Sequence, residues 1–292
     1  MGERQVAELG PGTACCGWNH CGRRLAAGAV DGSVSVYDSH PSPSSKWQVS
    51  SASLLHLSRQ TLLSPHMKMN APFSDCSFRS GAGLANEQAI VNVVWLPPEY
   101  GDAIACACAD GTLSLWEEVA ADDQLPTWRK CKVFECGNCH ILNVHFGLHL
   151  GNLKMVAAYS DGQVKVYELS DSLELDKWQL QAEFQNIKDP ISRLGKPACT
   201  SASIAWNPRR GGRQQASFAI GFNSDSPHIN SCKIWEFEDA HQRWLPLVEL
   251  GSPEDKGDEV CAVAWAPNIG RLSPQASIIY LYAFMLQSCC IL

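Results

Sequence analysis

A chain of 292 residues, 45% apolar and 18% charged, is long enough to bury one large core or two ordinary ones. Its net charge of −7, with Lys and Arg scattered rather than clustered, leaves no basic face to neutralise a phosphate backbone and so argues against direct nucleic-acid binding. The opening MGERQVAELGPG holds no apolar signal region, Val6 stands where N-myristoylation needs Ser or Thr, and the 14 cysteines sit largely in apolar runs, as reduced thiols do.

In chain order, the first recurring element is LAAGAVDGSVSVYD at residues 25–38. A run of small apolar residues reaches Asp31-Gly32, and Tyr37 follows with an acid behind it. The frame returns in IACACADGTLSLWE (104–117), with Asp110-Gly111 and Trp116, and in MVAAYSDGQVKVYE (155–168), with Asp161-Gly162 and Tyr167. Asp-Gly between two alternating apolar runs predicts a hairpin with a tight primed turn, since Gly takes positive φ at no steric cost. The aspartates are expected to bond local backbone N–H groups, a structural role.

An aromatic also precedes each hairpin: Trp18, Trp95 and Phe146. A fourth unit keeps the frame but lengthens its turn, from Trp206 in SIAWNP through FAIGFNSDSPHINS to Trp235 in CKIWEF. A fifth starts at CAVAWAP, with Trp265, and then loses the pattern. Because these aromatics hold equivalent repeat positions, they are expected to pack the repeats rather than to bind a ligand.

Two stretches break the repeat. Residues 39–88 are rich in Ser, Pro and Gly without period-two alternation, the composition of a disordered insertion. Residues 272–292, LSPQASIIYLYAFMLQSCCIL, carry no charge and stand where the fifth unit would finish and a sixth follow. The apolar run 278–286 is far shorter than the roughly 20 residues of a bilayer span, so no transmembrane segment is expected. The last four residues fit a prenylation signal at Cys289, but no polybasic stretch supplies the second anchor, and a lipid is not expected.

Repeated strand units, each ending in Trp or Tyr followed by Asp or Glu, define an all-β fold: a WD-repeat β-propeller, read as one domain over residues 1–292 with about four to five blades in an open, incomplete ring. A β-sandwich is the competing arrangement, but its strands would not repeat the Asp-to-aromatic offset.

Chemistry is hard to place on this frame. There is no H-E-x-x-H helix, Gly-rich phosphate loop or G-x-S-x-G elbow. His228 lies beside Asp225 and Ser226 in NSDSPHIN, where adjacent residues of a Pro-containing loop serve as turn and cap rather than triad. CGNCH at 136–140 has the spacing of covalent haem attachment, yet it sits in a chain without an export signal, between two predicted strands, and reads as an inter-strand turn. A zinc there would want two further ligands. No catalytic, cofactor-binding or metal residue is expected. The alternative of a different class, an enzyme or ligand binder using the axial channel, would need His, Asp or Glu converging at the channel mouth.

Longer phrases are more specific. WLPPEYGDAIAC, LKMVAAYSDGQVKVYEL, GKPACTSASIAWNP, FAIGFNSDSPHIN, KIWEFEDAHQRWL and VAWAPNIG resemble the plant Seh-type nucleoporins, relatives of the Sec-type coat propellers. The resemblance covers most of residues 10–38 and 89–270. It implies a six-bladed, incomplete ring that a partner α-solenoid nucleoporin completes with a blade of its own, by strand addition to an exposed edge. It implies a non-enzymatic scaffold of the Y-shaped subcomplex in the outer ring of the nuclear pore, at the nuclear envelope, supporting transport of mRNA and protein. It also implies a second place, with solenoid subunits of a coat-like complex that regulates target-of-rapamycin signalling at the lysosomal or vacuolar surface. The 39–88 segment and the 272–292 ending depart from the family pattern, and the partner-contact residues are left open.

Overall fold

The computed structural model describes residues 9–38, 48–51, 88–119, 127–134, 139–187, 198–208, 215–250 and 259–265. Within them the strands form four antiparallel meanders of four strands each. The first holds β1 (Thr13–Trp18), β2 (Arg24–Ala29), β3 (Val34–Asp38) and β4 (Gln48–Ser51); the second β5 (Ile90–Trp95), β6 (Ala103–Cys108), β7 (Leu113–Val119) and β8 (Thr127–Phe134). The third holds β9 (Ile141–His149), β10 (Asn152–Tyr159), β11 (Gln163–Leu169) and β12 (Trp178–Gln185); the fourth β13 (Cys199–Trp206), β14 (Ser217–Ser224), β15 (Ser231–Glu238) and β16 (Arg243–Leu250). Helix is confined, among the described residues, to two three-residue 3₁₀ turns, Pro98–Tyr100 and Pro227–Ile229.

The small apolar runs become the second strand of each blade because both faces of that strand are covered. Ala103–Cys108 is buried throughout, as is Ser217–Ser224 except at its last residue. A strand between two packed layers reads as a continuous apolar run rather than an alternating one. The third strands, buried on one face only, alternate.

The register explains the repeat's fixed offsets. Trp18 lies opposite Leu25, which lies opposite Tyr37. Trp95, Ile104 and Trp116 form the same row in the second blade, Phe146, Met155 and Tyr167 in the third, and Trp206, Phe218 and Trp235 in the fourth. Each repeat thus places two aromatics on one cross-strand row, flanking an apolar residue on the middle strand.

The Asp-Gly hairpins differ from the expected primed turn. Ala29 N–H donates to Ser33 O and Gly32 N–H to Ala29 O, so three residues, Val30, Asp31 and Gly32, make the loop. Among these residues only the glycine has positive φ: 84° at Gly32, 89° at Gly111 and 76° at Gly162. A two-residue primed turn would demand positive φ at Asp as well; the three-residue loop with one left-handed Gly avoids that strain. Asp31 Oδ1 accepts from Ser33 N–H at 2.9 Å and from its hydroxyl at 2.6 Å. Asp110 Oδ1 does the same with Thr112, at 2.9 and 2.7 Å, and Asp161 Oδ1 accepts from Gln163 N–H at 3.2 Å. Asp110→Ala should lower stability by about 1–2 kcal/mol, the loss of two partnered acceptor contacts, while Asp110→Asn, which keeps one acceptor oxygen, should lose less; a denaturant midpoint series reads the difference.

Gln48–Ser51, inside the 39–88 stretch read as a disordered insertion, forms the outer strand of the first blade, with Val36 opposite Ser51 and Asp38 opposite Gln48. An outer strand is held by backbone pairing to one neighbour, which leaves little trace in composition. The rest of 39–88, and all of 272–292, lie outside the described residues. The described strands fall into two compact units, Met1–Asn138 and Cys139–Leu292, each holding two of the four blades.

In the second unit, Glu259–Trp265 begins the fifth repeat against the fourth blade. Val260 N–H donates to Asn223 Oδ1 at 2.7 Å, Val263 N–H to Ser203 Oγ at 3.0 Å and Trp265 Nε1 to Ala205 O at 2.8 Å.

Candidate functional site

Within each unit, where blade meets blade, an aromatic of the later blade seats on the inner strand of the earlier one. Trp95 Nε1 donates to Gly17 O at 2.9 Å, the residue before Trp18, and Trp265 uses Ala205, the residue before Trp206, in the same way. In the second unit Trp206 lies on Gly147, whose added Cβ would fall 2.0 Å from the indole. A small residue beside the inner-strand aromatic is therefore a seat for the next blade's indole.

The third-strand aromatics are tied from inside. Trp116 Nε1 donates to Ser114 Oγ at 2.9 Å, and Trp235 Nε1 to Asn186 Oδ1 at 2.8 Å. Tyr37 Oη accepts from Gly10 N–H at 3.1 Å, and Tyr167 Oη stands 3.3 Å from Tyr159 Oη.

A second set of aromatics, on the outer strands, escaped the sequence reading. Trp128, Trp178 and Trp244 lie 6.2, 6.1 and 5.9 Å, ring to ring, from Trp95, Phe146 and Trp206 of their own blades. A Trp roughly ten residues after each hairpin aromatic was the available signal, obscured by unequal loop lengths.

The inner strand of the first blade is different. Trp95, Phe146 and Trp206 are 4%, 6% and 7% exposed, but Trp18 at the equivalent position is 51% exposed. Along β1 the residues alternate. Cys15 and Gly17 are partly buried, with Cys15 Sγ 3.6 Å from Ile90 O, while Ala14, Cys16 and Trp18 face outward. This outward stripe ends in an indole, and it lies on a strand paired on one side only within its sheet.

Burial pushes the thiols of Cys15, Cys131, Cys199 and Cys232 up to about 11, so they remain protonated and poorly nucleophilic. Among the described residues, no group of three or more His, Cys, Asp or Glu is placed to hold a metal, and no helix is long and apolar enough to cross a membrane. Of CGNCH, Cys139 and His140 are described. His140 is exposed, and its N–H donates to Ser160 Oγ at 3.0 Å as the chain enters β9. Asp225 is exposed, and Ser226 precedes the short 3₁₀ turn that contains the His228 backbone.

Four-stranded meanders, stacked within each unit through equivalent aromatics, with an Asp-Gly hairpin at the centre of three of them, define a WD-repeat β-propeller protein. A WD domain, G-beta repeat model matches residues 9–38, and the crystal structure of Saccharomyces cerevisiae Sqt1 superposes with a TM-score of 0.50 at 12% identity, over 86% of this chain and 54% of that one; the latter speaks to fold alone. Protein SEH1 of Arabidopsis thaliana is 48% identical over 268 residues, 92% of this chain and 73% of that protein. The chain belongs to the SEH1 family. Nucleoporin SEH1-A of Xenopus laevis is 29% identical over 61% of this chain and 48% of its own length, and nucleoporin SEH1 of Homo sapiens 26% identical over 86% and 58%. This chain therefore spans only about half of the animal relatives' length.

Proposed function

We propose that this chain is a non-enzymatic nucleoporin scaffold at the nuclear pore, working in the Y-shaped subcomplex of the outer ring by binding an α-solenoid nucleoporin that supplies a missing blade. The observation that carries the reading is Trp18. Its repeat equivalents are buried at 4–7%, whereas its own indole is half exposed on a strand whose outward stripe is Ala14, Cys16 and Trp18. An exposed indole on a strand that ends its sheet suits docking of an added strand, where main-chain bonds give affinity and an aromatic anchor gives specificity. Support for nucleocytoplasmic transport of mRNA and protein follows from that placement, and family membership extends the proposal to a coat-like complex regulating target-of-rapamycin signalling at the lysosomal or vacuolar surface.

In this reading the hairpin aspartates and glycines and the blade aromatics are structural, and none carries catalysis or a cofactor. Affinity capture of the tagged chain under mild extraction should recover an α-solenoid nucleoporin in near-stoichiometric amount. Capture without any solenoid protein, together with ligand-dependent thermal stabilisation of the chain alone, would overturn the proposal in favour of a channel ligand.

A further inference from the structure

The seams at Trp95, Trp206 and Trp265 follow one plan, and Trp18 holds the matching place in the first blade. In each seam the aromatic of the later blade lies on a small residue of the earlier inner strand, Gly17, Gly147 or Ala205. The glycine seats have no room for a methyl: an added Cβ would fall 2.5 Å from Val93 O at Gly17 and 2.0 Å from the indole at Gly147. Trp18 lies opposite Leu25 as Trp95 lies opposite Ile104 and Trp206 opposite Phe218. Cys15 and Gly17 face the second blade, so the half-exposed Trp18 stands on the other face of the sheet, with Ala14 and Cys16.

Charge accompanies the seat. In the first and third blades a seam cation at the head of the second strand bonds to the acid of its own blade, Arg24 Nε to Asp38 Oδ1 at 2.7 Å and Lys154 Nζ to Glu168 Oε2 at 3.1 Å. Each cation then reaches into the following blade at one equivalent place. Arg24 forks onto Glu118, two residues after Trp116, with Asp102 at 3.3 Å, and Lys154 Nζ lies 5.1 Å from the ring of Phe237, two residues after Trp235. The Arg24 guanidinium also lies 5.4 Å from the ring of Trp95, so the seated indole and the ion pair form one cluster. The side chains of Arg24 and Lys154 are 14% and 2% exposed.

Ala103, opposite Glu117, holds in the second blade the register place of Arg24, opposite Asp38, so Asp102 is the counterpart of Arg23. The second blade thus offers a carboxylate to the cation of the blade before it. The first blade offers Arg23 at that place, exposed in a turn that also exposes His20. The sign is inverted. We infer that the blade supplied by the α-solenoid nucleoporin carries a glycine or alanine on its inner strand as the seat of Trp18 and, at the head of its second strand, an aspartate or glutamate that pairs with Arg23. The inference rests on the proposed docking at Trp18 and names the chemistry that the partner brings to it. A bulky seat would hold the indole off the sheet, and a cation at the head of that strand would meet Arg23 as a like charge.

Titration of the full chain with the α-solenoid nucleoporin, joined to photo-crosslinking from a benzophenone side chain at position 18, tests it. Arg23→Glu should weaken binding about tenfold at low salt and hardly at all at about 1 M salt, where screening acts within about 3 Å; Arg23→Lys should bind as the wild type does. The crosslink should fall on a partner strand at or beside a Gly or Ala, and a charge reversal of the partner's nearby acid should be rescued by Arg23→Glu. Binding that Trp18→Ala weakens but Arg23→Glu leaves unchanged at low salt would overturn the inference and leave the docking at Trp18 standing. A crosslink to a partner strand without Gly or Ala would do the same. No binding by the wild type, or a crosslink to this chain itself or to a second copy of it, would overturn both.

Discussion

Gly147→Ala should destabilise the second unit by about 3 kcal/mol or more, the upper range for overpacking a filled core. The added methyl would sit 2.0 to 2.2 Å from three atoms of the Trp206 indole, and that ring has little room to retreat. It is 7% exposed, lies 6.2 Å from the ring of Phe218 and meets Trp244 edge-on at 5.9 Å. Gly151→Ala is the control: its φ is 86° with open space around the new methyl, so it pays only backbone strain, about 1 kcal/mol. Urea midpoints of the two variants should separate clearly. Equal losses would mean that Trp206 yields and that the small residue beside the inner-strand aromatic is not a rigid seat.

Arg24→Met should cost about 3–5 kcal/mol, because Asp38 and Glu118 would be left beside each other without their cation. Those carboxylates hold the guanidinium proton more firmly than usual, against the desolvation that burial imposes; the pair energy and the burial penalty are both large and oppose each other. The double variant Arg24→Met with Glu118→Leu should therefore recover part of the loss, with a total below the sum of the two single effects. Additive losses in a double-mutant cycle would show that the residues do not act as one network.

The fold was legible because the repeat obeys strict local rules, and the family through longer phrases such as FAIGFNSDSPHIN and KIWEFEDAHQRWL. Asp-Gly followed by an aromatic fixes a hairpin, and that aromatic lies on one cross-strand row with the residue that precedes the hairpin, so an offset in sequence became a row in space. The turn itself was misjudged, since Asp-Gly serves primed and three-residue loops alike and only the closing hydrogen bonds distinguish them. Gln48–Ser51 was illegible for another reason: an outer strand needs only backbone groups, and four residues amid a Ser-rich stretch leave no period to detect. The outer-strand tryptophans were visible as letters but not as a set, because their distance from the hairpin aromatic varies with loop length. The seam cations were the most hidden. Arg24 and Lys154 look like solvated strand ends, and their partners Glu118 and Phe237 belong to different residue classes, so only the shared register reveals the equivalence. Trp18 shows the converse. Its repeat position predicts a buried packing aromatic, and its half exposure is what directs attention to the first blade's outer flank.

Titrating an α-solenoid nucleoporin against the wild-type chain and its Trp18→Ala variant tests whether this flank receives a protein partner. Binding should be saturable and one-to-one, and Trp18→Ala should weaken it by about thirtyfold, the loss of a central aromatic anchor, with the melting temperature of the free chain nearly unchanged. Binding of equal strength by both chains, or a variant that loses binding only because it no longer folds, would contradict it.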